Sequence, residues 1–204
     1  MMPGPFRGKR VLDLGLVALL AVPAALILGA AALAVACSSR GPVLFRQERI
    51  GSGGQPFTLL KLRTMRHDPD RPIGFPDELP VTLVGRVLRR TSMDELPQLW
   101  NVARGDMSVV GPRPPIAEHV ARYDERQRGR LVVRPGLTGL AQVRGRNALS
   151  WAERINLDLE YVQTQSVGLD LRILASTLRA VLVGEGVGGH PTDDPIAAPD
   201  RTGP

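Results

Sequence analysis

The sequence predicts an α+β protein, mainly helical and membrane-associated, with a re-entrant N-terminal hydrophobic helix, a small β-hairpin and interfacial amphipathic helices. Three observations carry this. Residues 14–37 hold no charge, residues 43–62 alternate like two short strands around a glycine turn, and apolar residues recur at helical spacing through much of the remainder. At 204 residues the chain has room for one core domain with appendages.

The apolar run comes first. As a straight helix, residues 14–37 would reach about 36 Å, enough for a hydrocarbon core of roughly 30 Å. An ordinary span should leave one flank poor in Lys and Arg. Both flanks are basic here, with Arg7, Lys9 and Arg10 before the run and Arg40, Arg46 and Arg49 after it. A cleaved lipoprotein signal ending at Cys37 is a second alternative, but the run exceeds the usual signal core. Pro23, near the centre, removes a backbone donor and marks the membrane bend of the third reading, a helix that returns to the side it entered from. Asp13 is expected at headgroup depth, paired with Arg10.

Residues 43–50 and 57–62 read as strands joined by Gly51-Ser52-Gly53-Gly54. No Gly-Lys-Ser/Thr follows, so a hairpin explains these glycines better than a phosphate cradle. Residues 67–80 read as a loop and 81–90 as a helix carrying Arg86, Arg89 and Arg90. A rigid turn is expected at Gly111-Pro112-Arg113-Pro114-Pro115, then an exposed charged helix over 116–131. Residues 134–145 read as a glycine loop that approaches a ligand closely. Helices follow over 151–163 and 169–183, the second with an apolar stripe suited to packing or a bilayer surface. The expected organisation is a membrane helix over 1–40, a catalytic domain over 41–184 and a disordered tail over 185–204.

Composition narrows the chemistry. The net charge of +6 calls for anionic partners, while 4% aromatics argues against single-strand nucleic-acid binding, which needs stacking platforms. Cys37 alone excludes an internal disulfide or a cysteine zinc cluster, and His67, His119 and His190 lack metal-ligand spacing. Asp-Glu-Leu-Pro occurs twice, at residues 77–80 and 94–97, and only the second follows a basic helix. Ser92 and Glu95 have capping-box spacing, which offers a purely structural reading of that pair. Lys61, Arg63, Arg89, Arg90 and Arg113 are candidate phosphate ligands. A carboxylate among such cations is expected to stay ionised, as a nucleophile or a magnesium ligand must. A basic membrane adaptor with a structural Asp-Glu pair is the alternative from a different functional class.

Several longer motifs carry a resemblance. They are Phe45-Arg46-Gln47-Glu48-Arg49-Ile50-Gly51, Lys61-Leu62-Arg63-Thr64-Met65 and Thr91-Ser92-Met93-Asp94-Glu95-Leu96-Pro97-Gln98. Gly105-Asp106-Met107-Ser108-Val109-Val110-Gly111-Pro112-Arg113-Pro114, Arg134-Pro135-Gly136-Leu137-Thr138-Gly139-Leu140-Ala141-Gln142-Val143 and Leu157-Asp158-Leu159-Glu160-Tyr161-Val162 follow in order. Together with the basic start and apolar run, they resemble the bacterial sugar transferases, the monotopic phosphoglycosyl transferases, in their minimal catalytic form. Two positions depart from the family pattern: Val22 stands where Ser often precedes the central proline, and Leu62 where Phe is usual.

The resemblance implies transfer of a sugar 1-phosphate from a UDP-sugar to polyprenyl (undecaprenyl) phosphate, initiating glycoconjugate or exopolysaccharide assembly. Asp94 would be the nucleophile, and Glu95 would hold Mg2+ with it. Lys61, Arg63, Arg89 and Arg113 would bind phosphate, while Thr138, Gln142 and Asp158 would shape the substrate pocket. The implied setting is the cytoplasmic face of the inner membrane, among anionic lipid headgroups.

Overall fold

The computed structural model describes residues 3–67, 80–145 and 149–183. Asp77, in the first Asp-Glu-Leu-Pro copy, and the tail after residue 183 lie outside the described residues. The architecture is mostly helical with two small sheets.

Helix α1 (Lys9–Ser38) runs unbroken through Pro23. From residues 18 to 27 its apolar side chains are exposed almost all round, with Leu19 at 73% and Leu26 at 73% of full exposure. Its two ends, by contrast, are both packed on the rest of the protein. Ala31 and Val35 join Leu62 and Leu88 in one apolar cluster, and Leu16 and Val17 lean on another around Val102, Met107 and Tyr161.

The first end is held by a buried polar network. Asp13 accepts hydrogen bonds from Ser108 Oγ at 2.8 Å and Val109 N at 3.0 Å, with Lys9 Nζ 3.5 Å away. Lys9 also pairs with Asp170 at 2.6 Å, and Tyr161 Oη donates to Asp170 at 2.9 Å. Burial pushes Asp170 above the usual carboxylate range, against the pull of Lys9. Asp13 therefore lies in the protein interior and not at headgroup depth, and its expected partner Arg10 donates instead to the carbonyls of Val102 and Ala103. Lys9→Met would leave two buried carboxylates without their cation. We expect a loss of roughly 3–5 kcal/mol, seen as a fall in Tm on the order of 10 °C in detergent. An unchanged Tm would show that the network contributes nothing.

Strands β1 (Leu44–Ile50) and β2 (Pro56–Leu62) pair antiparallel, and the glycines between them form a 3-10 turn with φ 68 at Gly53 and 77 at Gly54. The hairpin expectation holds. Helix α2 (Leu83–Thr91) is capped by Thr82, and a Cβ at Gly85 would come 1.9 Å from the Thr64 carbonyl oxygen. That contact seats α2 on the segment that follows β2. Helix α3 (Gln98–Arg104) is tied to β2 by Asn101, which accepts from Leu60 N at 3.2 Å and donates to Thr58 O at 2.8 Å.

Two expectations need correction. The charged segment 116–131 is not one helix: α4 (Ala117–Ala121) stops, Tyr123 turns into the core, and Asp124 caps a new start in α5 (Glu125–Arg128) with a reciprocal Gln127 box. Residues 134–145 are not simply a loop. Strand β4 (Gly136–Thr138) pairs parallel with β3 (Ser108–Val110), and α6 (Leu140–Arg144) follows. Their glycines do serve a close approach, but to backbone: a Cβ on Gly136 would lie 2.1 Å from Gly111 N. Helices α7 (Trp151–Thr164) and α8 (Val167–Val183) close the fold, and α8 leaves Leu171 and Leu178 exposed.

Candidate active site

Asp94 and Glu95 occupy a single 3-10 turn, Met93–Glu95, wedged between α2 and α3. Ser92 terminates α2 in the left-handed region at φ 57, the one non-glycine residue with positive φ among the described residues. A side chain in that region is strained and survives where surroundings enforce it. Pro97 stands at the cap of α3, so the chain changes direction twice within six residues and pushes the carboxylate pair inward. The Ser92 hydroxyl makes no capping hydrogen bond, which removes the structural reading of Glu95 as half of a capping box.

Glu95 is held by two cations instead. Lys61 Nζ, from the end of β2, lies 2.7 Å from Oε1, and Arg113 Nη2 lies 3.1 Å from the same atom. Although burial pushes Glu95 upward, Arg113 and Lys61 bring it down to about 2. Asp94 behaves oppositely. Its burial outweighs Lys61 and Arg89, so its pKa stands above the usual aspartate value. The depressed pKa expected of a carboxylate among these cations is found at Glu95 and not at Asp94. Among the described residues no side chain donates a hydrogen bond to Asp94, a residue only 7% exposed.

Asp94 is thus a buried carboxylate with a backbone hydrogen bond but no side-chain donor, beside Lys61 and Arg113, which are engaged with its neighbour. Such a group gains from an incoming electrophilic phosphorus or a divalent cation. The donor set also fits magnesium, which binds through one or two carboxylates and keeps water and substrate phosphate in its remaining positions. Both cations converge on Oε1 of Glu95, leaving its second oxygen out of those contacts.

The remaining sequence candidates divide. Arg89 donates from Nε to Thr64 Oγ1 at 2.8 Å and keeps its guanidinium at the exposed edge of the turn. Arg63 is not brought to the site. Its Nη2 donates to the carbonyls of Ser39 at 2.6 Å and Val35 at 3.4 Å, closing the last turn of α1. Alternation along β2 would put residue 63 on the side of Lys61, but the strand ends at Leu62 and Arg63 turns to the last turn of α1 instead. Thr138 shares a hydrogen bond with Thr177 at 2.7 Å, and Gln142 donates to Leu137 O, so neither is turned toward the Asp94 carboxylate by these contacts. Asp158 is buried in an ion pair with Arg130, which also donates to Tyr123 Oη. Burial pushes Asp158 upward while Arg130 opposes the shift.

Arg130 and Arg49 escaped sequence reasoning as site residues. Arg130 lies in the segment read as an exposed charged helix, and Arg49 in a strand read as a basic flank of the apolar run. The signal available was the apolar Leu131-Val132-Val133 that follows Arg130, which turns that end of the charged segment inward. Burial, with Arg113 alongside, pushes Arg49 down to about 10.

A model of the bacterial sugar transferase family matches residues 5–184. The UDP-glucose:undecaprenyl-phosphate glucose-1-phosphate transferase of Caulobacter vibrioides is 50% identical over 185 residues, covering 85% of this chain and 69% of that protein. An uncharacterized sugar transferase, EpsL, of Bacillus subtilis is 50% identical over 147 residues, 72% of this chain and 73% of its own length. The exopolysaccharide production protein ExoY of Sinorhizobium fredii is 42% identical over 167 residues, 73% and 74% of the two chains.

Proposed function

The chain belongs to the bacterial sugar transferase family, and from that premise we propose that it transfers a sugar 1-phosphate from a UDP-sugar to polyprenyl phosphate through a covalent Asp94 intermediate. The observation that carries this reading is the Asp94 carboxylate, buried, free of side-chain donors and set beside a Glu95 that two cations hold ionised.

In the first half-reaction an Asp94 oxygen attacks the sugar-linked phosphorus, and the bond from that phosphorus to the bridging oxygen of UMP breaks. UMP leaves with the electron pair. In the second, an oxygen of polyprenyl phosphate attacks the same phosphorus and the bond to Asp94 breaks, restoring the carboxylate. Two steps spare one phosphate from meeting another in a single crowded transition state. Lys61 and Arg113 lie where they can take part of the phosphate charge, and Arg89 offers its exposed guanidinium at the edge. Magnesium would be held by Asp94 and Glu95 and would neutralise the diphosphate. Release of UMP from a panel of UDP-sugars, UDP-glucose among them, with undecaprenyl phosphate tests the reaction, and absence of UMP from every one in magnesium buffer would sink it.

The membrane reading rests on α1. Its two ends pack on one body, so a body on one side of the bilayer keeps both ends on that side. The exposed middle around Pro23 is wholly apolar and finds its matching solvent only in lipid. Met93, next to Asp94, packs into the same cluster as Ala31 and Val35, which supports a reading in which Asp94 works within reach of a lipid-borne phosphate. We place the catalytic body on the cytoplasmic face of the inner membrane, against anionic headgroups. An impermeant maleimide should reach both Cys37 and a Pro5→Cys cysteine only after spheroplasts are lysed. Labelling of one before lysis and the other only after it would mean that α1 spans.

A further inference from the structure

The segment that carries Arg113 has an unusual mounting. Pro112, Pro114 and Pro115 are buried and lack an N–H, while Arg113 between them is exposed. Such a segment cannot build a hydrogen-bonded ladder of its own, so its carbonyls must find donors elsewhere. All four do. Gly136 N donates to Pro112 O at 2.8 Å, Arg130 Nη2 to Arg113 O at 2.9 Å, Arg49 Nη1 to Pro114 O at 3.1 Å, and Ile50 N to Pro115 O at 2.9 Å. Two donors are strand amides and two are guanidinium groups. Each arginine is itself fixed: Arg49 by Gln47 Oε1 at 2.7 Å and 3.1 Å, and Arg130 by Asp158 and Tyr123.

We infer that Arg49 and Arg130 are positioning residues, which clamp the backbone of residues 113 and 114 so that the Arg113 side chain is held at Glu95. This deepens the phosphoryl-transfer reading above and rests on it. The physical reason lies in the chemistry of arginine. A planar fork can bind an anion or hydroxyl with some N–H groups and a carbonyl with another, which a lysine ammonium does with poor geometry. The main chain at 113 is thereby immobilised without using the Arg113 side chain, which is left to bond Glu95 and face the substrate's charge. Preorganised donors of this kind do not have to be reoriented during the reaction. The arrangement also gives Asp158 a role at a distance from Asp94: it orients Arg130, and Arg130 orients Arg113.

A purely structural role and a positioning role differ in coupling. If Arg130 acts through Arg113, its replacement matters only while Arg113 is present. The test is a double-mutant cycle on the full chain in detergent with UDP-glucose, undecaprenyl phosphate and magnesium. Arg130→Lys and Arg113→Ala are combined, and Arg49→Lys serves as a second entry to the same cycle. We expect Arg130→Lys to lower kcat/KM about tenfold in the native background and less than about twofold beside Arg113→Ala, with the same shift in Tm in both. Losses that multiply would overturn the clamp. So would failure of both lysine variants to fold, because the arginines would then be pillars of the fold. The cycle is read a second time in the Kd for UMP by calorimetry. A native chain that binds UMP with the coupling intact yet releases none from any of the UDP-sugars would sink the reaction and keep the clamp; turnover with additive losses would do the reverse, and a native chain with neither binding nor turnover would overturn both.

Discussion

Asp94→Asn stops UMP release, with a loss of at least about 10^4-fold in turnover, because no other side chain can take its place as the attacking oxygen. The neighbouring Glu95 is the obvious substitute, but it is held by Lys61 and Arg113, and its depressed basicity makes it a poor nucleophile. The amide has the same shape as the acid, so membrane association and folding persist. In metal-free buffer at neutral pH the variant should also be more thermally stable than the native chain. The sign follows from the raised pKa of Asp94, whose largest cause is burial. A carboxyl whose folded-state pKa is raised carries no penalty below its ordinary value of 3.8, and its ionised form destabilises the fold once the pH exceeds the folded-state value. Removing the charge removes that penalty. Asp77→Asn, in the other copy of the tetrapeptide, should leave turnover near native. Equal losses from the two variants would transfer the role or divide it, and residual turnover in Asp94→Asn would refute the nucleophile.

How far the sequence could reach is clearest at this same turn. Adjacent carboxylates after a basic helix were legible as a pair, because residue type and proximity are written in the chain. Which member is pushed upward and which downward was not legible, since desolvation depends on what packs over the turn. Lys61 and Arg113 were readable from their motifs as cations of the carboxylate pair, whereas Arg63, two residues from Lys61, stands at the end of α1. Their charges are identical; only the end of β2 and the open last turn of α1 separate them. The hairpin was legible from alternation and glycines, and α7 within a residue of its end, because both signals are local. Asp13 was misplaced for the opposite reason: its partners Ser108 and Asp170 lie far along the chain, the second through Lys9. The break at Asp124 was available in its capping box with Gln127, but the run of charges around it hid the signal.

Glu95→Gln should cost turnover on the order of 10^2–10^3-fold and, unlike its neighbour's replacement, should destabilise the protein. Glu95 is pushed upward by burial but brought down to about 2 by Arg113 and Lys61. Its ionised form therefore contributes stability that is fully present above its ordinary value of 4.5 and is lost as pH falls through about 2. At neutral pH the glutamine variant forfeits that contribution and leaves Lys61 and Arg113 facing each other without the anion between them, so Tm falls. Two carboxylates adjacent in sequence thus give opposite responses in thermal unfolding while both lose activity. The difference has a chemical reason. A nucleophile must be held in an environment that does not satisfy it, and that costs stability; a carboxylate that gathers cations is satisfied, and it stabilises. If both variants shifted Tm in the same direction in metal-free buffer, the division of labour drawn between Asp94 and Glu95 would fail, even with both chains inactive.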